Sequence, residues 1–141
     1  MEIIELQSEA EFRQAFPVVR QLRPHLDEQR YLDLLALMVP EGYRMFAVRD
    51  GTTVLAIAGV TIRTNFYNGR HVFVYDLVTD EGVRSQGLGQ RLLTHVEEFA
   101  RREGCATVAL NSGMQRTGAH RFYEERMGYE RPSYSFTKKL A

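Results

Sequence analysis

The chain has one cysteine, no surplus of charge of either sign and no long apolar run, and each shortage removes a class of protein. Cys105 has no second cysteine to bond, so an internal disulfide and metal sites built from cysteine pairs are excluded, and nothing asks for an oxidising compartment. Eighteen basic side chains balance eighteen acidic ones. Without a basic run the chain cannot neutralise a row of phosphates, so general nucleic-acid binding is excluded. The longest apolar stretch, Val54 to Val60, is far short of the roughly 20 residues that cross a bilayer. Met1 to Glu5 has no charged-then-apolar leader pattern, so a cytoplasmic protein with no membrane partner is expected. Low-complexity stretches, internal repeats and Pro/Gly/Ser-rich linkers are lacking too, which makes residues 1–141 read as one continuous domain.

What is present is enough for a core: 141 residues, 44% apolar and 11% aromatic. A short strand is expected over Met1 to Leu6. Ser8 and Glu11 have capping-box spacing for a helix carrying Phe12 and Phe16, with a kink or pause at Pro17. Tyr31, Leu32, Leu35 and Met38 predict a second helix from about Asp27 to Met38. Three β-rich segments follow, Tyr43 to Val48, Thr53 to Thr64 and Arg70 to Thr79, separated by the hairpin dipeptides Asp50-Gly51 and Asn68-Gly69. Leu88, Leu92, Val96 and Phe99 then mark the strongest helix, stopped by Gly104 and followed by a strand over Ala106 to Leu110. A short helix, about Gly118 to Met127, and a last strand, about Tyr134 to Leu140, complete a mixed α+β domain. The unit from Val72 to Leu110 is expected to make a right-handed parallel crossover.

Chemistry concentrates in the loop Val83-Arg84-Ser85-Gln86-Gly87-Leu88-Gly89-Gln90, which joins a strand to the strongest helix. Free N–H groups and the positive end of the helix dipole attract anions there, glycines let a phosphate approach the backbone, and Arg84 adds a full charge. A Walker loop is excluded because Gln90-Arg91 follows Gly89, and a dinucleotide fingerprint because Leu92 stands at its third glycine. The residue pattern alone leaves two readings, an anion loop or a turn with two glycines before a helix.

The context separates them. Asp76-Leu77-Val78-Thr79, the loop Arg84 to Gly89, Asn111, Ala119-His120-Arg121-Phe122-Tyr123 and Met127-Gly128-Tyr129 together resemble the GNAT superfamily of acyl-CoA-dependent N-acetyltransferases over residues 72 to 130. The resemblance implies the GNAT fold: a twisted, mixed but mostly antiparallel sheet of six to seven strands, about four flanking helices, and a splayed parallel strand pair that admits CoA. It implies acetyl-CoA as donor and no metal. The backbone of Leu77, Val78 and Thr79 would pair with pantetheine, and Arg84, Ser85, Gln86, Gly87, Leu88, Gly89 and Gln90 would hold the pyrophosphate. The Val78 N–H would stabilise the oxyanion. Tyr123 resembles the tyrosine that protonates the departing thiolate, a role its ordinary pKa near 10 suits; spacing alone would favour a place in a core with Ala119, Phe122 and Met127, and the family position reverses that. The family's common asparagine seven residues before that tyrosine is Arg116 here, so Asn111 would bond pantetheine or substrate and Arg116 the CoA phosphates.

Asp76, in a run apolar on both faces, reads either as a base or anchor for the incoming amine or as a structural acceptor; Asp80 and Glu81 are nearby alternatives as bases. His25, His71, His95 and His120 lack metal spacing. Tyr31, Tyr43, Phe66 and Tyr134 are candidates to line the acceptor site. The expected activity is acetyl transfer from acetyl-CoA to a primary amine, on a small molecule or a protein, through a tetrahedral intermediate and without a covalent acyl-enzyme. The rival is a non-catalytic acyl-CoA-binding regulatory module. The resemblance also implies a homodimer.

Overall fold

The structure, a computed structural model, describes residues 1–84, 86–112 and 116–141. The chain forms two compact units, Met1–Ala109 and Leu110–Ala141.

The first unit is built on a sheet with strand order β1 (Glu2–Leu6), β2 (Arg44–Asp50), β3 (Thr53–Asn65), β4 (Gly69–Thr79) and β5 (Thr107–Leu110). The first three pairings are antiparallel. Helices α1 (Glu9–Leu22) and α2 (Glu28–Met38) enter between β1 and β2, and α3 (Leu88–Arg102) lies between β4 and β5. Strand alternation sorts the core into two faces. Met45, Ala47, Ile57 and Val78 join Phe12, Phe16, Val19, Tyr31 and Leu35 on the α1/α2 face. Phe46 points the other way, with its ring 5.2 Å from Phe99 and 5.1 Å from His95 of α3.

Local signals explain most boundaries. Ser8 Oγ accepts from the Glu11 N–H and the Glu11 carboxylate accepts from the Ser8 N–H, so α1 opens on the reciprocal cap its spacing predicts. Asp27 caps α2 in the same sense through the Arg30 N–H. The pause expected at Pro17 does not occur: α1 runs unbroken through it, because Phe12, Ala15, Phe16, Val18 and Val19 are all buried and hold the helix on the sheet. Register Asp50↔Thr53 puts the first hairpin loop at Gly51-Thr52. The second is one residue longer than a two-residue turn, Phe66 to Asn68, closed by the Asn68 N–H donating to Asn65 Oδ1 and by Gly69 at φ +59°.

The second unit holds α4 (Thr117–Arg121), which widens into a π-type turn over Phe122–Arg126. Here the expected strand count is corrected. The strand predicted over Tyr134 to Leu140 is not formed, and among the described residues the sheet has five strands rather than six to seven. Alternating apolar residues make a strand only where a neighbour takes up their backbone bonds and side chains; Tyr134, Phe136 and Leu140 are instead exposed. Among the described residues no helix is long and apolar enough to cross a membrane.

Candidate active site

The loop after β4 is organised by backbone. Asp80 closes a single 3₁₀ turn, Glu81–Val83, by accepting from the Gly82 N–H. The chain then reaches Gly87, whose φ of +74° is a left-handed conformation that turns it into α3. Among the described residues no side chain caps α3, and its first turn has no acidic residue. The N–H groups of Leu88, Gly89 and Gln90 are therefore left for an outside acceptor. Arg84 is exposed in the same loop. These features fit an anion. Ser85, also expected to bind it, lies outside the described residues.

A second helix end braces this loop. Gln21, in the last turn of α1, donates from Nε2 to Asp80 Oδ1 at 2.7 Å and accepts from the Glu81 N–H at 2.9 Å. Asp80 and Glu81, considered from sequence as alternative bases, thus form the joint between β4 and the loop.

At the middle of β4 the order comes from side chains. The β3–β4 register shifts between Gly59 and Val60, so that Gly59 faces Asp76, Val60 faces Val74, and Tyr75 is the extra residue of a bulge. The Tyr43 ring lies over Gly59 so closely that a Cβ there would fall on its hydroxyl and ring carbons. Only glycine lets that ring reach Asp76. Tyr43 Oη donates to Asp76 Oδ2 at 2.8 Å, and Arg23 Nε donates to Asp76 Oδ1 at 3.1 Å. Arg23 Nη2 also donates to the Tyr75 carbonyl at 2.9 Å, which pins the bulge to the end of α1. Burial, with the Asp76 charge beside it, pushes the Tyr43 phenol well above its ordinary pKa, so it remains a donor. The carboxylate that the sequence placed in an apolar strand is thus half satisfied and charge-paired, with lone pairs to spare.

The ladder corrects one assignment. In an antiparallel pair, alternate residues turn both backbone groups toward the same neighbour. The Asp80 N–H donates to the Leu55 carbonyl at 2.8 Å, and Val78 is in register with Ile57. The Val78 N–H therefore points into β3, and the outward amides after the bulge are those of Leu77 and Thr79. Parity of this kind depends on where the bulge falls, which composition does not reveal. β5 has four residues against eleven in β4, so much of this outward edge has no β5 partner.

In the second unit, Tyr123 is buried in the π-type turn, a conformation frequent at functional sites. Its ring packs 5.3 Å from Phe122 and 6.1 Å from Tyr129. Burial raises its pKa, while the charge of Arg116 and its hydrogen bond to the phenol act in the opposite sense. Arg116 thus engages Tyr123, and Asn111 is exposed at the end of β5.

Of the four aromatic residues proposed for an acceptor site, Tyr31 and Tyr43 line a cavity together with Arg23 and Asp76. Phe66 sits exposed on a hairpin tip and Tyr134 in the exposed C-terminal segment. Sequence reasoning missed Arg23, Gln21 and Gly59. The last carried a signal, since a lone glycine inside a strand run marks a bulge or close approach.

The sequence model of the family described as Acetyltransferase (GNAT) family matches residues 3–129. The uncharacterized N-acetyltransferase YhdJ of Bacillus subtilis (strain 168) is 38% identical over 137 residues, covering 96% of both chains. The aminoalkylphosphonate N-acetyltransferase of Salmonella typhimurium is 31% identical over 122 residues, 84% of this chain and 78% of that one. An aminoglycoside N-acetyltransferase, AAC(6')-Iy, solved in complex with CoA, superposes with a TM-score of 0.85 at 17% identity, covering 99% of this chain and 95% of that one.

Proposed function

The chain belongs to the GNAT family of acetyltransferases, and from that membership we propose that it moves an acetyl group from acetyl-CoA to a primary amine by direct transfer. The observation that carries this reading is the uncapped, glycine-led start of α3 with Arg84 beside it, which suits the CoA pyrophosphate. Residues 1–141 act as one acetyltransferase domain in this reading, since the family match crosses both compact units.

The chain's residues divide the work. The amides of Leu88, Gly89 and Gln90, with Arg84, Gln86 and Gly87, hold the phosphates. The outward backbone of Leu77 and Thr79 pairs with the pantetheine arm, and one of those N–H groups faces the thioester oxygen as negative charge develops on it. The amine nitrogen forms its bond to the carbonyl carbon, the carbon–sulfur bond breaks, and the thiolate takes a proton from Tyr123. The amine gives up its proton to water or to Asp76. Tyr123 suits its part because burial raises the phenol's pKa above its ordinary range, so it is protonated at neutral pH. No acyl-enzyme forms, and most of the acceleration comes from positioning.

Calorimetric titration with acetyl-CoA, followed by a thiol-release assay over a panel of amines, tests the reading. Binding with CoA release for an amine class is the expected result. Binding without release for any amine would instead support a regulatory acyl-CoA module. Tyr123→Phe should lower turnover by about 100-fold with acetyl-CoA affinity nearly unchanged; unaltered turnover would remove Tyr123 from the mechanism.

A further inference from the structure

We propose that the acceptor is a compact monoamine with an apolar body, seated in the cavity between α1, α2 and the bulged stretch of β4. This inference rests on the acetyl-transfer reading above and specifies its second substrate.

The cavity measures about 190 Å³. An apolar cavity of about 150 Å³ accepts benzene, so this one holds a ring or branched chain with a short linker, and no oligosaccharide. Its walls are Val19, Leu26, Leu34, Leu35, Met38 and Met45. The two tyrosines in it have spent their hydroxyl protons elsewhere: Tyr31 Oη donates to the Phe12 carbonyl at 2.8 Å, and Tyr43 Oη to Asp76. A polyhydroxylated acceptor would meet few partners there, and each unpaired hydroxyl lowers affinity by about tenfold.

Three polar side chains, Arg23, His25 and Asp76, line the same cavity, and two of them, Arg23 and Asp76, are hydrogen-bonded. Asp76 carries the only negative charge among these lining residues, and the Arg23 guanidinium 3.1 Å away balances it. A polycation therefore finds no net attraction and meets Arg23 at the rim. A single amine does find a place, because each Asp76 oxygen accepts one hydrogen bond and retains a lone pair for an N–H. That oxygen pair stands beside the bulge, so an amine docked on it lies next to the outward edge of β4 while its apolar body fills the space under α2.

The test measures kcat/KM by thiol release with benzylamine, phenethylamine and isoamylamine against glucosamine, kanamycin, spermidine and 2-aminoethylphosphonate. The apolar monoamines should exceed the others by at least about tenfold. Leu34→Gln, at the half-buried wall, should raise KM for phenethylamine by about tenfold while calorimetric affinity for acetyl-CoA and the melting temperature stay unchanged. A polar or polycationic amine as the best substrate, or a Leu34 variant with unchanged KM, overturns the proposal and leaves acetyl transfer standing. Calorimetric binding of phenethylamine, weakened by Leu34→Gln, without transfer to any amine would uphold the cavity assignment and overturn the acetyl-transfer reading. If the apolar amines show neither binding nor transfer, the proposal is overturned outright.

Discussion

The two halves of β4 build their neighbourhoods by opposite means. At its C-terminal end, the strand leads into a loop whose candidate recognition elements are backbone amides, a left-handed glycine and a helix start, all within the eleven residues from Asp80 to Gln90. At its middle, the candidate group is one carboxylate whose surroundings come from far along the chain: Arg23 is 53 residues from Asp76, and Tyr43 is 33. A backbone site depends on local conformation and survives most side-chain changes. A side-chain site depends on tertiary packing and fails when any one member is displaced.

That contrast predicts where damage is greatest. Gly59→Ala should be the most harmful change in this region, because the new methyl occupies the space of the Tyr43 hydroxyl and ring. Either the ring leaves Asp76 or the strand shifts at its bulge. Overpacking and the lost buried hydrogen bond together should cost about 3 kcal/mol in denaturant unfolding. An alanine variant as stable as the parent would show that the Tyr43 ring has another way to reach Asp76, and the side-chain site would be more tolerant than the backbone one.

Tyr43→Phe is the milder version, since the ring remains and only the donor is lost. It should cost about 1–2 kcal/mol by leaving Asp76 with Arg23 as its one partner of the two. The pH dependence gives a second readout. Burial raises the folded-state pKa of this phenol, so the protonated form is favoured by folding. Its contribution is fully present below the unfolded value near 10 and is lost as pH rises toward the folded value. Unfolding free energy should therefore fall with pH above about 10, and Tyr43→Phe should flatten that fall. An unchanged alkaline slope would mean that Tyr43 does not carry it.

The same contrast explains what could be read beforehand. The candidate anion loop was legible because Arg84, Gly87 and Gly89 lie within six residues and precede a strongly periodic helix, so motif and context lie in one window. The helix cap at Ser8 was legible for the same reason. Asp76 was visible only as a problem, a charge in an apolar strand, because its partners have no fixed spacing to it. The bulge determined which amides face outward and so moved the oxyanion candidate from Val78 to Leu77 or Thr79. The final strand was misread because apolar alternation describes a capacity to pair, while pairing needs a neighbour.

The smallest expected effect tests whether the two regions are independent. The last turn of α1 and its cap touch both: Arg23 holds Asp76 and the Tyr75 carbonyl, while Gln21 holds Asp80 and Glu81. Gln21→Leu should barely alter stability, because the residue is half-buried and each bond contributes about 1 kcal/mol. It should raise KM for acetyl-CoA about threefold to fivefold with kcat unchanged, since freeing Asp80–Glu81 loosens the loop without touching the acceptor cavity. Gln21→Glu separates the two bonds. A glutamate still accepts from the Glu81 N–H but repels the Asp80 carboxylate, so it should resemble Gln21→Leu if the Asp80 bond matters and the parent if the Glu81 bond suffices. A fall in kcat with either variant would mean that the loop and the carboxylate site move together through the end of α1, and that the backbone-built and side-chain-built regions share one support.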